Sequence, residues 1–269
     1  MRVSVITPSK NQGGYIEHCL RSVHEQTHRD LEHIVLDGVS TDATAEVAAR
    51  YPCTFLQGKD SGPAQAINRG FDMVTGDIVC WLNADDAFSS STVLERVVRT
   101  FAELPEVDVI TGNGYYIDEN GKYIQPIVLQ RPDHLCLPWI EKDCTFLQPA
   151  TFWRRNQFRL DENLKYCWDW KLWIDFFRAG LNVLYVPEYF SFYRLHPSSL
   201  TYQDTASRRQ EVYRIVQQHK RSRAQAAWCW AVWRTFQLSE SLRSPKLKRF
   251  ARLANDAMDT LTDGRIKSI

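Results

Sequence analysis

The sequence predicts an α/β fold with a mostly parallel central sheet, flanked by helices and followed by a C-terminal helical extension. Three observations support this prediction. Short apolar runs alternate with helix-spaced apolar residues over roughly the first ninety residues, polar side chains follow each run, and the pattern after about Tyr202 is helical. The alternation implies parallel strands with right-handed crossovers. The length of 269 residues fits one large domain or two intimate ones.

The first four predicted strands are apolar runs at about residues 3–6, 32–36, 53–56 and 78–80. Apolar residues at helical spacing lie between these runs and predict three helices. The first covers residues 16–23, the second ends at about Arg50, and the third runs from Pro63 to a stop at Gly76. Proline suits the first turn of a helix, which supports a helix start at Pro63. The unit is therefore β-α-β-α-β-α-β.

The second half predicts more mixed structure. It contains a helix over 93–101, a strand over 107–110, a hairpin over 114–127 and an irregular segment over 131–144. A further helix opens at Trp168 and stops at Gly180, and strands at 182–186 and 189–195 follow. We predict three segments: 1–104, 105–203 and the helical extension 204–269.

Composition excludes several classes of protein. The net charge of +1 forces no strongly basic face, so nucleic acid is not an expected partner. The seven cysteines are scattered without a Cys-x-x-Cys pair, which indicates reduced thiols in the cytoplasm. The sequence shows neither a signal-peptide core nor an apolar run long enough to cross a bilayer.

Polar residues follow all four predicted strands, at Thr7, Asp37, Asp60 and Asn83 to Asp86. Ligands bind beyond the carboxyl ends of strands in such sheets, so one site explains all four. Adjacent carboxylates at Asp85 and Asp86 suit a hard divalent ion that also contacts phosphates. The alternative is a set of separate turns and caps, with Asp86 or a serine capping the helix at Thr92. Glycine-rich phosphate-binding motifs are absent.

Four ordered blocks resemble the family 2 glycosyltransferases with the GT-A fold. They are Val-Ile-Thr-Pro-Ser-Lys-Asn at 5–11, Asp-Gly-Val-Ser-Thr-Asp at 37–42, residues 60–70 from Asp60 to Gly70, and residues 76–86 from Gly76 to Asp86. Later segments, at 148–153, 168–173 and 193–197, also look like this family. The resemblance covers roughly residues 1 to 200.

The resemblance implies a sugar-nucleotide pocket formed by Thr7, Pro8, Asn11, Asp37, Gly38, Asp60, Asn68, Asn83, Ala84 and Asp85. It also implies a divalent cation, Mn²⁺ or Mg²⁺, held by Asp85, with His196 completing the metal shell or holding the diphosphate. The alternative for His196 is a hydrogen-bonded surface residue at a strand end. The first position of the family's Asp-x-Asp motif is Asn83 in this sequence. An amide can still hydrogen-bond a ribose hydroxyl, but it is neutral and a weaker metal ligand than a carboxylate.

Asp169 stands where the family has the acid that deprotonates the acceptor hydroxyl. Its aromatic neighbours would raise its pKa by desolvation, whereas the helix N-terminus would lower it, so the sequence leaves the direction open. The alternative is an acid that complements the helix dipole. With Asp169 as base, the resemblance implies an inverting transfer.

We therefore expect transfer from a nucleotide-diphosphate sugar, a UDP-sugar first, to a saccharide or lipid-linked saccharide in cell-surface polysaccharide synthesis. The rivals are a sugar-nucleotide nucleotidyltransferase and a non-catalytic nucleotide-sugar-binding protein. For the C-terminal helices we consider packing on the catalytic domain, peripheral contact with the inner face of the cell membrane, and homo-oligomer formation.

Overall fold

The computed structural model describes residues 1–129, 144, 146–200 and 205–219. The strands are β1 (Val3–Ser9), β2 (Leu31–Asp37), β3 (Thr54–Gln57), β4 (Ile78–Trp81), β5 (Ala87–Phe88), β6 (Val109–Ile117), β7 (Tyr123–Ile127), β8 (Thr151–Arg154) and β9 (Val183–Arg194). The helices are α1 (Ile16–His24), α2 (Thr44–Ala48), α3 (Pro63–Met73), α4 (Val93–Glu103), α5 (Trp168–Arg178) and α6 (Thr205–His219), and a 3₁₀ turn covers Gln148–Ala150.

One sheet joins these strands in the order β3-β2-β1-β4-β8-β6-β9-β5, and β7 pairs with β6 at the side. The first four strands are parallel, as the β-α alternation predicted, so their carboxyl ends share one edge. The second half is mixed, because β8 runs antiparallel to both β4 and β6. The α/β prediction is therefore confirmed.

The helices pack through the apolar faces that their periodicity predicted. In α1 the buried positions are Ile16, Cys19, Leu20 and Val23, and in α4 they are Val93, Leu94, Val97 and Phe101. Gly70 of α3 lies so close to β1 that an added Cβ would come within 2.6 Å of Ile6. Glycine is needed there for helix and sheet to approach each other.

Element boundaries differ from the prediction chiefly in β9. The two strands predicted at 182–186 and 189–195 form one strand that pairs in parallel with β6. Its register shifts between Thr111 and Gly114 of β6, next to the stretch of β9 that contains Pro187, which cannot donate a ladder hydrogen bond. The predicted hairpin at 114–127 is confirmed by the pairing of Gly114 with Ile127.

The chain divides into two compact units, Met1–Arg208 and Arg209–Ile269. The sheet and helices α1 to α5 belong to the first unit, and our three predicted segments remain a prediction. Most of the irregular segment predicted at 131–144, and the extension beyond residue 219, lie outside the described residues. Within the described part of the chain, no helix is long and apolar enough to span a membrane.

Candidate active site

A cavity of about 570 Å³ opens at the shared carboxyl edge of the parallel strands. Its wall includes Pro8, Ser9, Lys10, Asn11, Gln12, Gly38, Asp60, Ser61, Gly62, Pro63, Ala66, Asn83, Ala84, Asp85, Asp86, Gln148, Tyr166, Trp168, Asp169, Tyr193, Ser198, Ser199, Leu200 and Arg208. Asp85 follows β4 and Asp169 opens α5, so two acids from distant parts of the sequence meet in one cavity. The strand-end pattern predicted that Asp85 lies at this edge, and the resemblance implied that Asp169 belongs to the same site.

The loop after β4 is held by a chain of amide hydrogen bonds. The Nδ2 atom of Asn83 donates to Oδ2 of Asp86 at 3.2 Å and to Oε1 of Gln148 at 3.0 Å. The Nε2 atom of Gln148 donates in turn to the carbonyl of Trp81 at 2.7 Å. Gln148 lies on the 3₁₀ turn before β8, so the β4–β8 pairing positions both ends of this chain.

Asp85 and His196 lie side by side, although only Asp85 is part of the cavity wall. The Nε2 atom of His196 is 2.9 Å from Oδ2 of Asp85, and the His196 ring packs against that of Tyr15 with centroids 4.5 Å apart and planes tilted by 37°. His196 is 2% exposed, and its Nδ1 atom has no hydrogen-bond partner in the part of the chain that the structure describes. It is therefore not the surface residue that the alternative assumed.

Arg194 holds the loop after β4 through a hydrogen bond to the backbone of Asp85. Its Nε atom donates to the carbonyl of Asp85 at 2.8 Å, and Nη1 donates to the carbonyls of Asp118 and Glu119 in the β6–β7 turn, both at 3.1 Å. Its Nη2 atom lies 2.8 Å from Nδ1 of His18. A guanidinium only donates hydrogen bonds, so Nδ1 of His18 accepts this one. The buried Arg194 thus ties the Asp85 loop to the hairpin turn and to α1.

The two adjacent acids have different surroundings. Asp86 is 2% exposed, and its Oδ1 atom accepts the backbone N–H of Arg194 at 3.0 Å. Burial raises the pKa of Asp86 well above its ordinary value, the Asp85 carboxylate adds to this, and the hydrogen bonds from Arg194 and Asn83 oppose it. Asp86 therefore organises the loop, whereas the Oδ1 atom of Asp85 accepts no hydrogen bond from the described residues.

Asp169 is half-buried in the first turn of α5, between the buried Trp168 and Trp170 in the sequence. Burial raises the pKa of Asp169 to about 6, and the backbone N–H of Trp170, which donates to Oδ1 at 2.7 Å, opposes the shift without cancelling it. Desolvation thus outweighs the helix N-terminus, which settles the direction that the sequence left open. A carboxylate with this pKa is mostly ionised at neutral pH and can still accept a proton.

Five of the predicted nucleotide-binding residues outside Asn83 and Asp85 line the cavity: Pro8, Asn11, Gly38, Asp60 and Ala84. Asn11 has a positive φ of 52°, and its Oδ1 atom accepts the N–H of Thr41 at 2.9 Å. This contact joins the loops after β1 and β2. Asp60 is paired with Arg69 at 2.7 Å, so its charge is already balanced.

The other three predicted nucleotide-binding residues, Thr7, Asp37 and Asn68, do not line the cavity. Thr7 is fully buried, with Oγ1 2.9 Å from Nε2 of His33. Asp37 is also fully buried and accepts hydrogen bonds from Ser40 and Gln57. The side chain of Asn68 binds both backbone groups of Leu160 at 2.8 and 3.0 Å. These contacts position the loops around the cavity, and none of them leaves the side chain facing it.

Sequence reasoning assigned no site function to Gln148 or Arg194. Both residues occur in segments that resemble the family, at 148–153 and 193–197, and this resemblance was the signal that could have identified them. Their contacts are made to backbone carbonyls and to an amide far away in the sequence, and periodicity gives no information on such partners.

Comparisons with known proteins agree with the geometry. A family model described as Glycosyl transferase family 2 matches residues 4–176. An uncharacterized glycosyltransferase of Rickettsia prowazekii is 28% identical over 223 residues, which cover 78% of this chain and 69% of the relative. A PGL/p-HBAD biosynthesis glycosyltransferase of Mycobacterium bovis is 32% identical over 116 residues, 41% of this chain and 45% of the relative.

Solved structures share the fold at low identity. S. aureus TarS in complex with UDP-GlcNAc has a TM-score of 0.66 at 19% identity, covering 89% of this chain and 73% of that one. The mannosyltransferase PcManGT of Pyrobaculum calidifontis, in complex with GDP-Man and Mn²⁺, has a TM-score of 0.62 at 18% identity, covering 96% and 75%. At this identity the likeness concerns the fold alone.

Proposed function

The chain belongs to glycosyl transferase family 2 and has the GT-A fold, and we propose that it transfers a sugar from a UDP-sugar to a hydroxyl of a saccharide or lipid-linked saccharide, with inversion. One observation carries this proposal: Asp85 and Asp169 line the same cavity at the carboxyl edge of the sheet. The first suits the leaving diphosphate and the second suits the incoming hydroxyl.

The donor would lie across the ends of β1, β2 and β4, against the wall formed by Pro8, Asn11, Gly38 and Asp60. Thr7, Asp37 and Asn68 would shape this wall through the loops they hold, without contacting the nucleotide. Lys10 lines the same end of the cavity, and its aliphatic stem packs on Gly38. Its ammonium group makes no hydrogen bond or ion pair with the described residues, so it is available to an anionic donor.

The residues present fit a divalent cation. Among the described residues, no donor contacts Oδ1 of Asp85 or the amide oxygen of Asn83, and His196 adjoins Asp85. Within the described residues, no cluster of three His, Cys, Asp or Glu side chains forms a closed cage. Open positions are what Mg²⁺ and Mn²⁺ retain for substrate phosphates, and an imidazole favours Mn²⁺ over Ca²⁺. When bound, such an ion would stabilise the charge that develops on the diphosphate.

Asp169 would act as the general base. Its carboxylate takes the proton of the acceptor hydroxyl while that oxygen bonds to the anomeric carbon and the diphosphate leaves. One displacement of this kind inverts the anomeric centre. The aromatic wall around Asp169 limits access of water, which protects the donor from hydrolysis.

The acceptor class follows from relatives and remains part of this proposal. A mycobacterial relative is named for PGL/p-HBAD biosynthesis, and a glucosyl-3-phosphoglycerate synthase structure contains Mn²⁺ and UDP. The cavity wall also includes the aromatic residues Tyr166, Trp168 and Tyr193. Such a wall fits a saccharide, and we place the reaction in cell-surface polysaccharide synthesis.

The test is a screen of UDP- and GDP-sugars with Mn²⁺ and mixed saccharide acceptors, with nucleoside diphosphate release as the readout. We expect release from a UDP-sugar by the wild type and none by Asp169→Asn. Pyrophosphate chemistry would instead indicate a nucleotidyltransferase. Donor binding without any turnover would indicate a non-catalytic binding protein.

A further inference from the structure

The orientation of the Asn83 amide is determined by a neighbour that is itself anchored to the backbone. The carbonyl of Trp81 can only accept a hydrogen bond, so the group of Gln148 that lies 2.7 Å from it must be the amide nitrogen. The Oε1 atom of Gln148 therefore faces Asn83, and the atom of Asn83 that lies 3.0 Å from it must be Nδ2. The assignment of both amides follows from one backbone group.

Both partners of Asn83 Nδ2 are buried acceptors, Gln148 at 7% exposure and Asp86 at 2%. The Oδ1 atom has no hydrogen-bond partner among the described residues, and it is not one of the unpartnered atoms that the protein seals from solvent. Since Asn83 lines the cavity, its oxygen is the atom offered to a ligand. We propose that Gln148 is a positioning residue, which holds the side-chain amide of Asn83 with its oxygen toward the bound donor.

This inference rests on the proposed function and deepens it. An amide oxygen in this orientation can accept a hydrogen bond from a hydroxyl group of the donor or coordinate the divalent cation. It also accounts for a neutral residue at this position. An aspartate at position 83 would place its carboxylate against two acceptor atoms, Oε1 of Gln148 and Oδ2 of Asp86, and the Gln148 amide cannot turn without losing its bond to Trp81.

The test is a double-mutant cycle with Asn83→Ala and Gln148→Met. Methionine has a similar length and volume to glutamine but no amide. We expect each single variant to raise the Kd of UDP with Mn²⁺ by about tenfold, as for loss of one oriented hydrogen bond. The double variant should bind no more weakly than Asn83→Ala alone, because Gln148 acts through Asn83. Additive losses of about 100-fold, or unchanged single variants, would overturn the proposal.

Gln26→Met is the matched control. Gln26 is fully buried and also bridges backbone groups, since it binds the carbonyls of Ser22 and Ser90 and the N–H of Leu94. It lies outside the cavity wall. We expect it to lower the melting temperature at least as much as Gln148→Met while it leaves the Kd unchanged.

Two further measurements identify the group that the Asn83 oxygen contacts and test the role of Gln148 without a ligand. UDP titrated without metal and Mn²⁺ titrated without UDP show whether the Asn83 oxygen meets a hydroxyl group or the cation, and a loss in either titration supports the proposal. The side-chain ¹⁵N resonance of Asn83, identified by its absence in Asn83→Ala, needs no ligand. It should move in Gln148→Met and stay in Gln26→Met. An unmoved resonance would overturn the proposal even if the enzyme transfers sugar, and a moved one would support it even if the donor screen fails.

Discussion

The indole ring of Trp173 stacks on that of Trp81, with centroids 5.5 Å apart and planes within 2° of parallel. Trp81 ends β4, two residues before Asn83, and Trp173 lies one helical turn beyond Asp169. Trp153 packs against both rings, and Trp168 packs against Trp81. The stack therefore sets the distance between the loop that suits the diphosphate and the residue that suits the acceptor.

Trp173→Phe should lower kcat by at least about tenfold, since small misplacement of a catalytic group is costly. Because Trp173 is fully buried, the smaller ring should also lower the free energy of unfolding by roughly 1–3 kcal/mol. Phe101→Leu in α4 is the control, because Phe101 is equally buried but packs in a cluster away from α5. Urea unfolding and steady-state kinetics measure both effects, and an equal loss of kcat in the two variants would contradict this explanation.

Asp169→Asn should reduce turnover by at least about 100-fold and leave the Kd of the donor unchanged. Asparagine keeps the oxygen that accepts the N–H of Trp170, so the helix start is preserved. Asp175→Asn, in the same helix, removes the partner of Lys171 at 2.6 Å and should leave turnover intact. Weaker donor binding with normal turnover in Asp169→Asn would refute the base assignment.

The pKa of about 6 at Asp169 predicts an acid limb in kcat/KM. Below that pH the carboxyl group is protonated and cannot accept the acceptor's proton, so kcat/KM should fall about tenfold per pH unit. Above it the rate should level off until another group titrates. A profile that stays flat down to about pH 4 would show that another group takes the proton.

Burial of this acid also couples pH to stability. The folded-state pKa is raised from 3.8 to about 6, so the folded state binds more protons than the unfolded state between these values. Stability therefore falls as pH rises through this window, with a full penalty on the order of 3 kcal/mol above it. Asp169→Asn should melt above the wild type near pH 8 and show little difference near pH 4, as calorimetry can measure. Equal differences at both pH values would contradict the shift.

The sequence predicted the parallel half of the sheet well, because apolar runs and helix periodicity are local signals. The strand-end pattern also predicted that polar residues such as Asp85 converge on one edge of the sheet, whereas only the resemblance implied that Asp169 belongs to the same site. Both residues line the cavity. Local pattern did not distinguish the surroundings of Asp85 from those of Asp86, and only the resemblance assigned the cation to Asp85. The difference depends on Arg194, whose backbone N–H binds Asp86 and whose side chain binds the carbonyl of Asp85, more than 100 positions away.

Thr7, Asp37 and Asn68 show the opposite limit. Their residue types and positions suit a nucleotide pocket, yet each is satisfied by a protein partner. A hydroxyl, carboxylate or amide that would bind a ligand equally suits a buried contact, and only the three-dimensional surroundings distinguish the two. The direction of the Asp169 pKa shift was likewise a balance of burial against the helix N-terminus, which a linear pattern does not weigh.

Arg194→Lys should weaken donor binding without removing the base. Lysine keeps the charge but cannot reach the carbonyls of Asp85, Asp118 and Glu119 together with His18, because these need the planar guanidinium. We expect the KM of the donor to rise by roughly tenfold, with a smaller change in kcat. Arg96→Lys is the control, since Arg96 also bridges Glu188 and the carbonyl of Tyr189, but neither of these residues lines the cavity, whereas Asp85 does. Equal changes in both variants would show a general loss of stability instead.

Metal removal is the last test. Chelation with EDTA should abolish turnover, and Mn²⁺ should restore it, because Asp85 with open coordination positions fits a divalent ion. Asp85→Asn should raise the Mn²⁺ concentration needed for half-maximal activity by at least about 100-fold, and His196→Gln by about tenfold. Asp72→Asn should change nothing, since Asp72 is exposed and pairs only with Arg159 among the described residues. If Asp85→Asn and wild type respond to Mn²⁺ alike, Asp85 does not hold the ion, and the pairing with His196 serves the loop alone.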